Sequence, residues 1–139
     1  MSLFKIFDAA GSGLNAQSIR LNTTASNLAN ADSASSSDNA TYRARHPVFS
    51  TVLLDNQLGM AGESAGVRVE RIVESEAPLR SEYRPDHPLA NPEGYIFRSN
   101  VNVVEEMADM MSANRSFNSN LEVMNAAKQM LLRTLSLGQ

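Results

Sequence analysis

The C-terminal third of the chain reads, from Val103 to Leu135, VVEEMADMMSANRSFNSNLEVMNAAKQMLLRTL. A mostly apolar seam recurs in it at alternating spacings of four and three residues. The seam positions are Val103, Met107, Met110, Asn114, Phe117, Leu121, Met124, Lys128, Leu131 and Leu135. This alternation is typical of a coiled-coil helix that packs against another helix. The stretch therefore predicts a long C-terminal helix, with Asn102 as its N-cap, that needs a partner.

A weaker seam of the same spacing lies at the N-terminus. It consists of Leu3, Phe7, Ala10, Leu14, Gln17, Leu21, Thr24 and Leu28. Gly11 and Gly13 fall inside it, and each costs about 1 kcal/mol relative to alanine in a helix interior. A helix over residues 3–30 is therefore conditional on packing. We predict a mainly α fold in which the N- and C-terminal helices form an antiparallel coiled-coil pair.

The middle of the chain has a different character. From Asn22 to Thr41 the sequence is almost wholly small and polar, which predicts a loop or a frayed helix end. Prolines and glycines then break any long helix, and the pairs His46-Pro47 and His87-Pro88 are predicted turn residues. Short strands fit between the breaks, at residues 67–70 and 95–97, so one or two short β-hairpins are expected.

These boundaries predict three segments, namely an N-terminal helix over 1–31, a middle segment over 32–99 and a C-terminal helix over 100–139. The two helices would form one domain. Apolar residues outside the seam, such as Val104, Met111 and Met130, make the C-terminal helix wider than one partner can cover. We therefore expect neighbouring subunits to cover the remaining flank. Asn114 and Lys128 either set register and partner choice or lie where the seam meets solvent.

Composition excludes several classes of function. Lys and Arg number 12 against 15 Asp and Glu, so the basic footprint of a nucleic-acid-binding protein is absent. Cysteine is absent, and the only histidines, His46 and His87, have no carboxylates at a repeating ligand spacing, so no metal or other cofactor is expected. No nucleophile motif or phosphate loop indicates an enzyme. Neither a cleavable signal peptide nor an apolar run long enough for membrane insertion is expected.

Three stretches resemble a known family. Residues 12–17, with Arg20, Leu21 and residues 25–30, resemble the N-terminal signature of bacterial flagellar rod, hook and hook-associated proteins. Residues 83–95 and 100–117 narrow the resemblance to the proximal-rod proteins of the flagellar basal body. The residues that carry it are Ser12, Gly13, Gln17, Asn27, Leu28, Ala29, Asn30, Pro85, His87, Pro88, Gly94, Tyr95, Asn100, Glu106, Met107 and Arg115.

The resemblance implies a non-enzymatic building block of the helical drive shaft that crosses the periplasm and transmits torque for motility. Its implied partners are further copies of itself, other rod proteins, the hook-basal body complex protein at the rod base and the flagellar type III export apparatus. Export would proceed without a cleaved signal. The alternatives are another flagellar axial protein, or a cytosolic helical adaptor or secretion chaperone, which composition alone permits.

Overall fold

A long helix stands at each end of the chain in the computed structural model, which describes residues 3–53 and 64–137. The helices are α1, Leu3–Ala29, and α2, Val103–Leu137. The strands between them are β1, Ala34–Ser35, β2, Arg45–Leu53, β3, Ser64–Glu74, β4, Arg80–Tyr83, and β5, Tyr95–Arg98, and a short 3-10 helix spans Asp38–Ala40. Two terminal helices with antiparallel strands between them confirm the coarse fold class.

The strands form two antiparallel sheets. β2 and β3 pair as a long hairpin, in which Arg45 lies opposite Glu74 and Thr51 opposite Val67. The second sheet has the order β1-β5-β4. Both predicted extended pieces are strands, because residues 67–70 lie in β3 and residues 95–97 in β5.

α1 and α2 pack side by side in opposite directions. Asn27, near the end of α1, bonds Glu106 in the first turns of α2. Gly11, near the start of α1, lies instead beside Met124 in the second half of α2. α1 also packs against β3 and β2, so it has the other helix and the hairpin as neighbours.

The core is built largely from small side chains. Its buried apolar members are Ala10, Ala16, Ala31, Ala44, Ile96, Val101, Ala113 and Ala127. One cluster joins Ala31, Ala44 and Val101, with Tyr42 packed against it, at the point where α1 ends and α2 begins. Alanine brings two helix backbones close together because interaxial distance follows side-chain size.

The prediction of a loop or frayed end from Asn22 is wrong for residues 22–29, which belong to α1. Thr23 and Thr24 are buried there, and their hydroxyls donate to the carbonyls of Ile19 and Arg20 at 2.9 and 2.8 Å. Polar side chains pack inside a protein when their hydrogen bonds are satisfied. A rule that only counts apolar residues in the sequence does not detect the burial of hydrogen-bonded polar side chains.

Two local predictions have opposite outcomes. The pair His46-Pro47 is not a turn, because it lies within β2. A proline fits at the edge of a two-stranded hairpin, where one side of the strand has no ladder partner. Asn102 caps α2 as predicted, because its Oδ1 accepts a 3.2 Å hydrogen bond from the Val104 amide.

Candidate functional site

The face of α2 that contacts α1 consists of small or polar residues. Glu106, Ala113 and Ala127 are buried there, with exposed fractions of 4%, 0% and 2%. Asn120 lies on the same line, against Gly13 of α1. These four residues recur every seven positions, as in a helix-pair seam, but none of them is large and apolar.

The predicted C-terminal seam is therefore rotated about the axis of α2, away from the centre of the face that contacts α1. Its members Met110, Phe117, Met124 and Leu131 are half-buried beside the contact face. The other members, Val103, Met107, Asn114, Leu121, Lys128 and Leu135, are exposed. The contact line has the same seven-residue repeat as the predicted seam, but small residues and hydrogen bonds occupy its centre in place of the larger side chains.

α1 shows the same preference for small residues at its contacts. Ala10, Gly13, Ala16, Thr23, Thr24 and Asn27 are buried, whereas Phe7, Leu14, Leu21 and Leu28 are half-buried. The side chain of Leu3 lies outside the described part of the chain. A Cβ added at Gly13 would lie 2.8 Å from Asn120 Nδ2, so the Asn120 side chain occupies the space that a side chain at position 13 would need.

Asn27 is the centre of a buried hydrogen-bond network. Its Nδ2 donates to the carbonyl of Arg45 at 2.8 Å and to Glu106 Oε1 at 2.9 Å. Its Oδ1 accepts from the Arg45 amide and from the Tyr42 hydroxyl, both at 2.9 Å. The side chain is fully buried, so this one amide joins α1, α2 and β2 with its hydrogen-bonding capacity used.

Further polar contacts surround this network. Arg20 of α1 donates to Asp109 of α2 at 2.7 Å, in a partly exposed ion pair. Ser26 Oγ lies 3.2 Å from the Tyr42 hydroxyl. An ion pair this exposed contributes about 0 to 1 kcal/mol, so the Arg20–Asp109 pair aligns the helices more than it stabilises them.

The signature residues near Gly94 build a tight loop between β4 and β5. Gly94 has a φ of +84°, a conformation that favours glycine, and it is buried. Asn91 Oδ1 accepts hydrogen bonds from the amides of Glu93 and Tyr95 at 3.0 and 2.8 Å. Tyr95 packs edge to face against Tyr83, with ring centroids 5.2 Å apart.

The remaining signature residues are spread over both helices and this loop. Ser12 bonds the hairpin, and Asn100 bonds both the Ala44 amide and the Ala77 carbonyl. Gln17 and Asn30 are half-buried, and Ala29 is exposed at the end of α1. His87 is half-buried between exposed Pro85 and Pro88, while Met107 and Arg115 are exposed on α2. The structure therefore brings Asn27 and Glu106 together, gathers the signature residues of 85–95 in and beside the loop between β4 and β5, and leaves the others in separate contacts.

A long exposed apolar surface remains on α2. Its members are Val104, Met107, Met111, Leu121, Val123, Met130, Leu132 and Leu135, which we call the outer face. Val104, Met111 and Leu135 are 75%, 68% and 66% exposed, the largest values of the set. The members of the outer face fall into two groups, over residues 104–111 and 121–135, and groups of exposed apolar side chains of this kind mark an interaction site.

Metal-ligand groups and membrane-spanning helices are both absent from residues 3–53 and 64–137. Nowhere in these ranges do three His, Asp or Glu side chains group as metal ligands. No helix of the described chain is long and apolar enough to cross a bilayer.

The contacts made by several signature residues could not be inferred from the sequence. Asn27 and Glu106 entered only through the resemblance, and their contact spans 79 positions of sequence separation. Tyr42 and Asn120 were not singled out at all. The only local signal was an asparagine in a helical stretch that is poor in large apolar residues.

Comparison with known proteins agrees with this architecture. The family model for flagella basal body rod proteins matches residues 7–34, and the model for the C-terminal region of flagellar basal body rod FlgEFG proteins matches residues 93–137. Flagellar basal-body rod protein FlgC of Salmonella typhimurium is 50% identical over 139 residues, and that of Escherichia coli O6:H1 is 48% identical, each match covering both chains completely. FlgC of Buchnera aphidicola from Acyrthosiphon pisum is 40% identical over 141 residues, again with complete coverage. The chain belongs to the FlgC family of flagellar basal-body rod proteins, which are structural subunits and not enzymes.

Proposed function

We propose that the outer face of α2 is the surface through which this rod subunit packs against neighbouring subunits in a helical assembly. The observation that carries the proposal is the exposure of the outer face at the start of α2 and along its second half. From Val104 to Leu135 it extends about 47 Å at 1.5 Å per residue. Half-exposed apolar side chains would each contribute on the order of 1 kcal/mol when covered, so the shaft would resist torque through many modest contacts.

The predicted seam residues divide into two groups in this proposal. Val103, Met107, Asn114, Leu121 and Leu135 would contact neighbours directly. Met110, Phe117, Met124 and Leu131, with Leu3, Phe7, Leu14, Leu21 and Leu28 of α1, would border those contacts. The two helices, over 1–31 and 100–139, would act as one domain and tighten into a coiled-coil pair.

The middle segment, over 32–99, would make lateral contacts between subunits. Its exposed apolar residues support this role, since Phe49, Ile72, Tyr83 and Leu89 all lie on the strands or on the loop after β4. The proposed partners are copies of this chain, other rod proteins and the hook-basal body complex protein at the rod base. We further propose passage through the flagellar type III export apparatus without a cleaved signal, to a rod in the periplasm.

The test is a charge placed on the outer face. In Leu121→Asp the new carboxylate would be buried without a partner at the subunit contact, so rod assembly and swimming should be lost. Because Leu121 is 41% exposed in the chain itself, the Tm of the purified subunit should change little. Swimming, incorporation into isolated basal bodies and the Tm are measured together.

The matched control is Ser119→Asp, which adds the same charge to an exposed position in the stretch of α2 between Met111 and Leu121, where no residue belongs to the outer face. We expect this variant to swim. Normal swimming of Leu121→Asp would contradict the proposal. Loss of swimming with a large fall in Tm would also count against it, because the defect would then lie in folding of the subunit.

A further inference from the structure

The β2–β3 hairpin lies along α1 and is attached to it by side chains of that helix at two places. The first attachment is made by Ser12. Its Oγ donates to the Ala9 carbonyl within the helix at 2.8 Å and accepts from the Val67 amide of β3 at 3.1 Å. One hydroxyl thus joins the helix backbone to the hairpin backbone.

Gly66 makes this first attachment sterically possible. A Cβ added at Gly66 would lie 3.1 Å from Ser12 Cβ and would overlap Ser12 Oγ. Ala9 Cα would lie 3.8 Å away. Gly66 is therefore required by the close approach of the hairpin to the helix.

The second attachment is made by Asn27. Its side-chain amide bonds both the amide and the carbonyl of Arg45, as the backbone of a neighbouring strand would do. Along α1, Ser12 and Asn27 are about 22 Å apart at 1.5 Å per residue. Along the hairpin, Arg45 and Thr51, the partner of Val67, are about 20 Å apart at 3.3 Å per residue. The two spacings agree, so the hairpin spans the helix between the attachments.

The Ser12 attachment coincides with the weakest part of α1. Ser12 lies between Gly11 and Gly13, the residues that most reduce the helix propensity of α1. We propose that the hairpin acts as a splint that keeps α1 helical across Gly11-Ser12-Gly13. Ser12 and Gly66 are its positioning residues. This inference concerns the single chain and does not depend on the proposed function.

The test is site-resolved amide hydrogen exchange on the full-length chain. Gly66→Ala changes only the hairpin, so any effect on α1 must pass through the contact. We expect exchange of the Val67 amide and of α1 amides over residues 5–13 to become about five to ten times faster in Gly66→Ala and in Ser12→Ala. Exchange over residues 20–29 should not change. Ser18→Ala, the same substitution at a half-buried serine of α1, is the matched control.

A rescue experiment separates the splint from simple loss of a contact. Adding Gly11→Ala to Ser12→Ala should restore slow exchange over residues 5–13, because alanine stiffens the helix, while Val67 remains fast. Faster exchange at Val67 alone in the single variants would overturn the proposal. Equal acceleration of all amides would overturn it too, because the attachment would then support the whole fold and not the helix beside it.

Discussion

Replacing Asn27 by leucine tests whether its buried network holds the two helices and β2 together. Leucine has the same branching and the same number of side-chain heavy atoms as asparagine, and position 27 is fully buried, so the change removes the four hydrogen bonds and leaves their partners without them. At about 0.5 to 1.5 kcal/mol each, these bonds contribute about 2 to 6 kcal/mol. The greater hydrophobicity of leucine offsets part of that loss, which leaves about 3 kcal/mol.

This magnitude is large for a single domain, whose total stability is about 5 to 15 kcal/mol. For a chain of this length a loss of 3 kcal/mol lowers Tm by about 10 °C. The assay is thermal unfolding followed by far-ultraviolet circular dichroism, with urea unfolding for the free energy. Asn15→Leu makes the same substitution at an exposed position of α1 and should change the free energy of unfolding by less than about 0.5 kcal/mol. If Asn27→Leu is no less stable than Asn15→Leu, the network does not hold the elements together.

Two further predictions concern glycines. Gly13→Ala should be less stable than the parent by about 1 kcal/mol despite its gain in helix propensity, since its Cβ would lie within 3.3 Å of three atoms of the Asn120 amide group. When Asn120→Ala is added, Gly13→Ala should become stabilising. Gly11→Ala, whose Cβ meets only Met124 Cε at 3.8 Å, should stabilise the protein by itself. A Gly13→Ala variant that is more stable than the parent in urea unfolding would contradict the close approach. Gly94→Ala should cost about 1 to 2 kcal/mol from its positive φ, with a further contribution because the new Cβ would lie 2.8 Å from Tyr83 Cε2. The loss should be visible as faster exchange of the Arg84 amide, which donates to the Gly94 carbonyl at 2.8 Å, and unchanged exchange there would refute the loop geometry.

The terminal helices could be predicted from the sequence because their signals are local. The spacing of four and three residues and the Asn102 cap placed the start of α2, alternation placed part of β3, and the turn at Gly94 placed β5. The pairing of β5 with β1 was not predictable, because it joins Ser35 to Phe97 across a long stretch of sequence. Nor was the packing of the hairpin against α1, which depends on the Ser12 hydroxyl, on Gly66 and on the side-chain amide of Asn27.

The face on which the helices meet was not predictable for a different reason. A seam is found by ranking positions by apolar size, which selects Met107 and Leu121. The contact instead selects residues that let backbones approach or that satisfy buried hydrogen bonds, namely Ala113, Ala127 and Glu106. Each of these residues is adjacent in sequence to a larger residue or one helical turn away from it. The seven-residue repeat is therefore preserved, although the contact face is rotated about the axis of α2.

The rotation of the contact face about the axis of α2 determines which side chains remain exposed for assembly. Had Met107 and Leu121 faced α1, the helix pair would have used its large apolar residues within the subunit, and little apolar surface would have remained for neighbours. Because alanine, glycine and the Asn27 network make the internal contact, the large side chains stay exposed on α2. In the proposed assembly, the hydrogen bonds fix which helices pair within a subunit, and the non-directional apolar contacts act between subunits. This division suits a shaft in which chemically similar contacts recur between subunits at different positions.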